Sequence, residues 1–69
     1  MKHDLDYGLA AAIDAAGNQA ELARRLDVSR SAISQWRTVP LSRVLDVERA
    51  TGVPRYVLRP DLFLPQVAA

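Results

Sequence analysis

The sequence predicts an all-α domain, a compact bundle of about five short helices around a central helix-turn-helix, and three observations carry that expectation. Apolar residues recur at spacings of three and four along most of the chain. Capping residues, glycines and prolines punctuate that pattern at short intervals. Two of the helices are separated by a turn of only about three residues, the length used by the helix-turn-helix unit.

The first helix carries Leu5, Leu9, Ala12, Ile13 and Ala16 on one face. Asp4 or Asp6 can cap its start, and Gly17 can supply the left-handed residue that ends it. Asn18 followed by Glu21 resembles a capping box opening a second helix. Its apolar stripe is Leu22, Ala23 and Leu26, while Glu21, Arg24 and Arg25 face outwards, either solvated or salt-bridged. This helix must stop near Asp27, because Ser29 is a strong cap for the next one.

The third helix runs from about Ser29 to Arg37, with Ala32, Ile33 and Trp36 towards the core. Pro40 disfavours helical geometry at Val39 and so breaks it. Pro40 itself is expected to open a fourth helix as its first residue. Leu41, Val44, Leu45 and Val47 form that helix's apolar stripe, and Thr51-Gly52 closes it. Val53-Pro54 starts a short helical turn through about Leu58, ended by Pro60, and the chain from Asp61 is expected to be extended. Residues 1–69 make one domain, with the helix-turn-helix at about 18–38 and a C-terminal extension at about 59–69.

Composition excludes several function classes. A chain of 69 residues buries one small core and has little room for a deep substrate pocket. It has no Cys and one His, so neither a disulfide nor a thiolate zinc site can staple it. His3 stands alone near the N-terminus and reads as solvated; no metal, no cofactor and no small-molecule ligand is expected. Ser29, Ser31, Ser34 and Ser42 lack a plausible base, so an enzyme is not expected. No apolar stretch approaches the ~18–20 residues of a membrane span, and no secretory signal is evident. A cytoplasmic protein is the expectation.

The net charge of +1 says little, but its distribution says more. Residues 1–23 set Lys2 against Asp4, Asp6, Asp14 and Glu21, giving −3. Residues 24–43 set Arg24, Arg25, Arg30, Arg37 and Arg43 against Asp27, giving +4, and residues 44–69 balance to zero. Positive charge is gathered in one short segment, as a localised anionic partner requires.

That segment also contains the informative motif, from Gln19 to Trp36. Leu22, Ala23, Leu26, Val28, Ile33 and Trp36 are the set two steeply crossing helices need: a small residue at the crossing, a plug in the turn, anchors beneath the second helix. What remains on the third helix faces outwards: Arg30, Ser31, Ser34, Gln35 and Arg37. Arg30 can grip guanine O6 and N7, and Gln35 can pair with adenine N6 and N7. Ser31 and Ser34 suit bases or phosphates, and Ala32 can touch a thymine methyl if it is not fully buried. Backbone contacts are expected from Gln19 and Ala20 at a helix N-terminus, and from Ser29, Arg37, Thr38 and Arg43 around the rim. Single-stranded RNA is disfavoured: Trp36 and the tyrosines are expected in the core or half-buried, leaving no aromatic platform.

The order Gln-Ala-Glu-Leu-Ala-Arg-Arg-Leu, Val-Ser-Arg-Ser-Ala-Ile-Ser-Gln-Trp, Val-Pro, then Arg-Val-Leu-Asp-Val-Glu-Arg-Ala-Thr-Gly resembles the Cro-like and YdaS-type regulators of prophages and toxin–antitoxin operons. The close Tyr56-Val-Leu-Arg-Pro-Asp-Leu-Phe63 resembles that family's ending, so the likeness spans about Leu5 to Phe63. It implies a lambda-repressor-like helical fold and operator binding near the protein's own promoter. By matching positions it places base contacts on Arg30, Ser31, Ser34 and Gln35, and a phosphate contact on Gln19. One departure stands out: the turn position usually held by Gly is Asp27. Asp tolerates the left-handed conformation less well than Gly, so a small stability cost is expected.

One reading helix covers few base pairs, so a homodimer on a palindromic operator in double-stranded DNA is expected. Leu62, Phe63 and Leu64 can either cover a partner subunit or complete the chain's own core. The leading expectation is a repressor. The alternatives are an antitoxin or adaptor working through protein contact with a toxin, and an activator touching polymerase.

Overall fold

Each of the first three helices begins where a short polar side chain can accept from an otherwise orphaned amide. In the computed structural model, which describes residues 6–64, these are α1 (Tyr7–Ala16), α2 (Gln19–Leu26) and α3 (Arg30–Gln35). Asp6 Oδ1 accepts from the Leu9 amide at 2.8 Å, Asn18 Oδ1 from Glu21 at 2.8 Å, and Ser29 Oγ from Ala32 at 3.0 Å. A 3-10 turn (Leu41–Arg43) runs into α4 (Val44–Thr51), and α5 (Arg55–Leu58) follows. Both Gly17 and Gly52 end their helices at positive φ, and Asp27 ends α2 in the left-handed region at φ 59°. The Asp departure is therefore accommodated in the backbone conformation the turn demands. The expected positions of Leu5, Asp4 and His3 lie outside the described residues.

The core is built from all five α-helices and from Val39 in the loop after α3. Leu9, Leu22, Ile33, Val39, Val44, Val47 and Leu58 are fully buried, and Ala12, Ala16, Ala23 and Leu26 complete the cluster. Ile13, Val28, Trp36, Ala50, Val53 and Phe63 pack against its edges. The small size of residue 8 is as important as any of these side chains. A Cβ on Gly8 would stand 2.4 Å from the Leu58 carbonyl oxygen, so α1 and α5 meet backbone to backbone there.

Several expectations need correction. The third helix ends at Gln35, with Trp36 already extended, because the chain must turn to bury Val39 and meet α1. Pro40 precedes the fourth helix rather than opening it, and the first turn is 3-10. The stripe Leu41, Val44, Leu45 and Val47 spans an arc of about 160° at 100° per residue, more than the core can cover. Val44 and Val47 take the core side, leaving Leu41 62% and Leu45 46% exposed. The capping box is only half made, since the Glu21 carboxylate turns instead to Arg24 and Arg25. Tyr7 is 80% exposed and Tyr56 is exposed too, against the expectation that both would be at least half-buried.

The C-terminal segment is not extended at its start. The Leu62 and Phe63 amides both donate to the Arg59 carbonyl, closing a turn that lays Phe63 against the core. Of the Leu62–Leu64 cluster, only Phe63 docks within the chain; Leu62 and Leu64 are exposed.

Candidate nucleic-acid interface

α3 is six residues long and offers one polar face. At 100° per residue Arg30, Ser31, Ser34 and Gln35 occupy an arc of about 140°, and Ala32, Ile33 and Trp36 lie opposite. The structure follows that geometry. All four polar residues are exposed, Ile33 is fully buried, and Ala32 and Trp36 are half-buried. The four expected base-contacting side chains thus stand together on one surface. Ala32, at its margin, is not sealed off from a contacting group.

The expected backbone contacts fall into two groups. Gln19 and Ala20 sit in the first turn of α2, where amides lack carbonyl partners within the helix and the dipole is positive. They share an open groove with Ile13, Gly17, Asn18 and Arg30. Sequence spacing did not reveal this juxtaposition: the Arg30 side chain borders the α2 N-terminus as well as the outer face of α3. Ser29 is exposed at the cap, its oxygen accepting from Ala32.

On the other side, Arg37 and Thr38 lie in the loop after α3 rather than on the helix. Thr38 is half-buried, and its hydroxyl donates to Asp6 Oδ2. Arg43 ends the 3-10 turn with its guanidinium 3.9 Å from Asp46. Thr38 and Arg43 therefore already have partners inside the chain, whereas Gln19, Ala20 and Arg30 converge on one groove.

Electrostatics separates working charges from structural ones. Glu21 binds Arg24, and Arg25 pairs with it at 3.3 Å while donating to the Ala50 carbonyl at 3.0 Å. Chiefly the Arg24 hydrogen bond holds the Glu21 carboxyl below its ordinary range. Asp46 takes Arg43 and Arg49, Glu48 takes Arg55, and Asp61 takes Arg59. Among the described residues Arg30 has no carboxylate partner, so its charge is available to an anion outside the chain. No three His, Cys, Asp or Glu side chains among the described residues are grouped to hold a metal, and no helix there is long and apolar enough to cross a membrane.

The model of the family described as Bacterial toxin YdaS matches residues 9–67, from α1 through the turn after α5. The chain belongs to the YdaS family. Its fold is also that of the Cro protein from the inferred prophage element Xfaso 1 of Xylella fastidiosa strain Ann-1. The two are 40% identical over 87% of this chain and 100% of that one, with a TM-score of 0.77. No curated protein matches this YdaS-family chain. The match also covers Leu58-Arg-Pro-Asp-Leu-Phe63, whose role the structure makes plain. Leu58 is core, Arg59 donates to the Val39 carbonyl at 2.8 Å and forks onto Asp61, and Phe63 packs on the core. In this YdaS-family chain the ending closes the fold.

Proposed function

We propose that this protein is a sequence-specific regulator that binds double-stranded DNA, acting as a repressor by occupying an operator. The observation that carries this reading is the exposed face of α3, where Arg30, Ser31, Ser34 and Gln35 stand over a buried Ile33. A surface of long hydrogen-bonding side chains, with an arginine uncommitted to any described carboxylate, suits base edges in a major groove. Arg30 reads guanine O6 and N7, or reaches a phosphate from the groove it shares with Gln19 and Ala20. Gln35 reads adenine, and Ser31 and Ser34 take bases or phosphates. Gln19, Ala20, Ser29, Arg37 and Arg43 set the register on the backbone.

Two such domains, with reading helices about 34 Å apart, would read a palindrome, so the protein acts as a homodimer on DNA. The similar fold of a protein named Cro supports this assignment. Its activity is binding rather than catalysis, and its place is with the DNA of a bacterial cytoplasm. The family's description as a toxin favours one second reading, a growth effect exerted through contact with another protein, such as a toxin–antitoxin partner or polymerase.

Fluorescence anisotropy with duplex from upstream of the protein's own gene, against scrambled duplex at several salt concentrations, tests the proposal. Preference for the upstream duplex that Arg30→Ala or Gln35→Ala abolishes is the expected result. Binding that falls with salt but ignores sequence reduces the claim to phosphate attraction. No binding at low salt, with growth still affected on expression, moves the function to the protein-contact reading.

A further inference from the structure

Residues 37–39 leave the end of α3 and are gripped from two sides. On one side the Asp6 amide donates to the Arg37 carbonyl at 3.2 Å, and the Thr38 hydroxyl donates to Asp6 Oδ2. The other oxygen of the same carboxylate is engaged as the cap of α1. On the other side Arg59 Nη1 donates to the Val39 carbonyl at 2.8 Å. Arg59 is itself held by the Asp61 carboxylate through Nε and Nη2, and its side chain is only 17% exposed. Between the two grips Val39 is fully buried. Charged side chains from both ends of the fold therefore close on three consecutive residues.

We infer that Asp6 and Arg59 are positioning residues for the reading helix, setting the pitch at which α3 leaves the core. This rests on the DNA-reading function proposed above and adds residues that face neither bases nor phosphates in it. The physical case is one of leverage. α3 has fewer than two turns, and its N-terminal end is fixed by the Ser29 cap. Its C-terminal end lacks a left-handed cap, closing only through the Trp36 amide on the Ile33 carbonyl before the chain leaves extended. Its direction is consequently set by what holds the following loop. An error of about 1 Å at reacting or reading groups is enough to weaken a preorganised site. The Thr38 hydroxyl, read from sequence as a phosphate contact, is spent on this grip instead.

The signs of the expected effects separate this role from direct contact. Asp6 is acidic, so removing it favours nonspecific DNA binding by charge. As a positioning residue its loss must nevertheless weaken operator binding. Asp6→Ser retains an acceptor for the Leu9 amide but cannot also hold Thr38. Thr38→Val retains the shape and loses the hydroxyl. Each is expected to lower the ratio of operator to scrambled-duplex affinity on the order of fivefold, with scrambled affinity unchanged or, for Asp6→Ser, raised. The double variant is expected to be no worse than the weaker single one. Arg59→Lys keeps the charge and one donor but loses the fork onto Asp61, and is expected to give a smaller fall in the same ratio.

Equal loss on operator and scrambled duplex would overturn the inference in favour of direct phosphate contact, and additive losses would show that Asp6 and Thr38 do not act through each other. A second readout needs no DNA. Trp36, the only tryptophan, ends α3 and packs against the core, so its fluorescence reports how that end is held. Both variants are expected to shift its emission alike and non-additively while the far-ultraviolet helix signal stays. If the wild type shows no operator preference, the DNA-reading function fails and the emission decides the grip alone; unchanged emission overturns it.

Discussion

The helix α3 and the closing half from the 3-10 turn to Phe63 use the same residue types to opposite ends, while α2, whose Arg24 and Arg25 both pair with Glu21, sides with the closing half. In the closing half every arginine is matched: Arg43 and Arg49 with Asp46, Arg55 with Glu48, Arg59 with Asp61. Glu48 also accepts from the Arg55 amide at 3.0 Å, capping α5, and the Arg55 guanidinium lies 5.9 Å from the Phe63 ring centroid. In α3 the polar side chains are turned outwards and Arg30 has no described carboxylate. An arginine beside a carboxylate in this fold is a fastener, whereas Arg30, which has none among the described residues, is the tool of the proposed function. Charge per segment, the usual guide to a binding surface, is therefore less informative than charge left over after internal pairing.

The strongest way to break the closing half is to push α1 away from α5. Gly8→Ala must displace the Leu58 carbonyl, and a loss of about 3 kcal/mol is expected, visible as a thermal midpoint lowered by more than about 10 °C. Next come the tools. Arg30→Ala and Gln35→Ala should each cost about 1–3 kcal/mol of operator binding while leaving the thermal midpoint within error. Arg55→Ala should do the reverse, lowering the midpoint with operator affinity little changed. A result in which Arg55→Ala hurts binding as much as Arg30→Ala would erase the distinction between the halves.

Smaller effects sharpen the comparison. Asn18→Ala removes the cap of α2 and should cost about 1 kcal/mol in urea unfolding. Asp27→Gly relieves a left-handed Asp and removes a negative charge next to the turn. It should stabilise by about 0.5–1 kcal/mol and modestly raise affinity for any duplex. The smallest expected effect is on acid sensitivity. Glu48 is held below its ordinary range, first by the Arg55 amide and then by its guanidinium, and Asp61 is held down by Arg59. Carboxylates lowered in the folded state stabilise it above their unfolded values, and that contribution is lost as pH falls through the folded ones. Urea midpoints should thus decline below about pH 4.5, and less steeply in Glu48→Gln.

Local chemistry made the first half legible. Asn18, Asp27 and Ser29 act within three or four residues of themselves, so caps and turn could be placed from sequence, and helical periodicity fixed the outer face of α3. The contacts that tie the two ends of the chain to the rest were less legible because their partners are distant in sequence. Gly8 is required by the Leu58 carbonyl, Arg59 by the Val39 carbonyl, and Asp6 by Thr38, contacts no periodicity encodes. The stripe containing Leu41 and Leu45 misled for a related reason. A hydrophobic pattern says which residues can be buried, while the shape of the other helices decides which are. The early end of α3 is the same lesson, since burying Val39 outweighs one more helical turn.

A helix of six residues is far below the ~12–15 at which a peptide holds helical form in water unaided. The proposed reading surface consequently has no existence apart from the folded core, and recognition and folding form a single equilibrium. An occupied operator would act as a thermal stabiliser, adding about 2.7 kcal/mol when DNA is at a hundred times its dissociation constant. Cellular proteases, which consume unfolded chains, would then clear unbound copies faster than bound ones. Turnover would prune the pool towards those already in place.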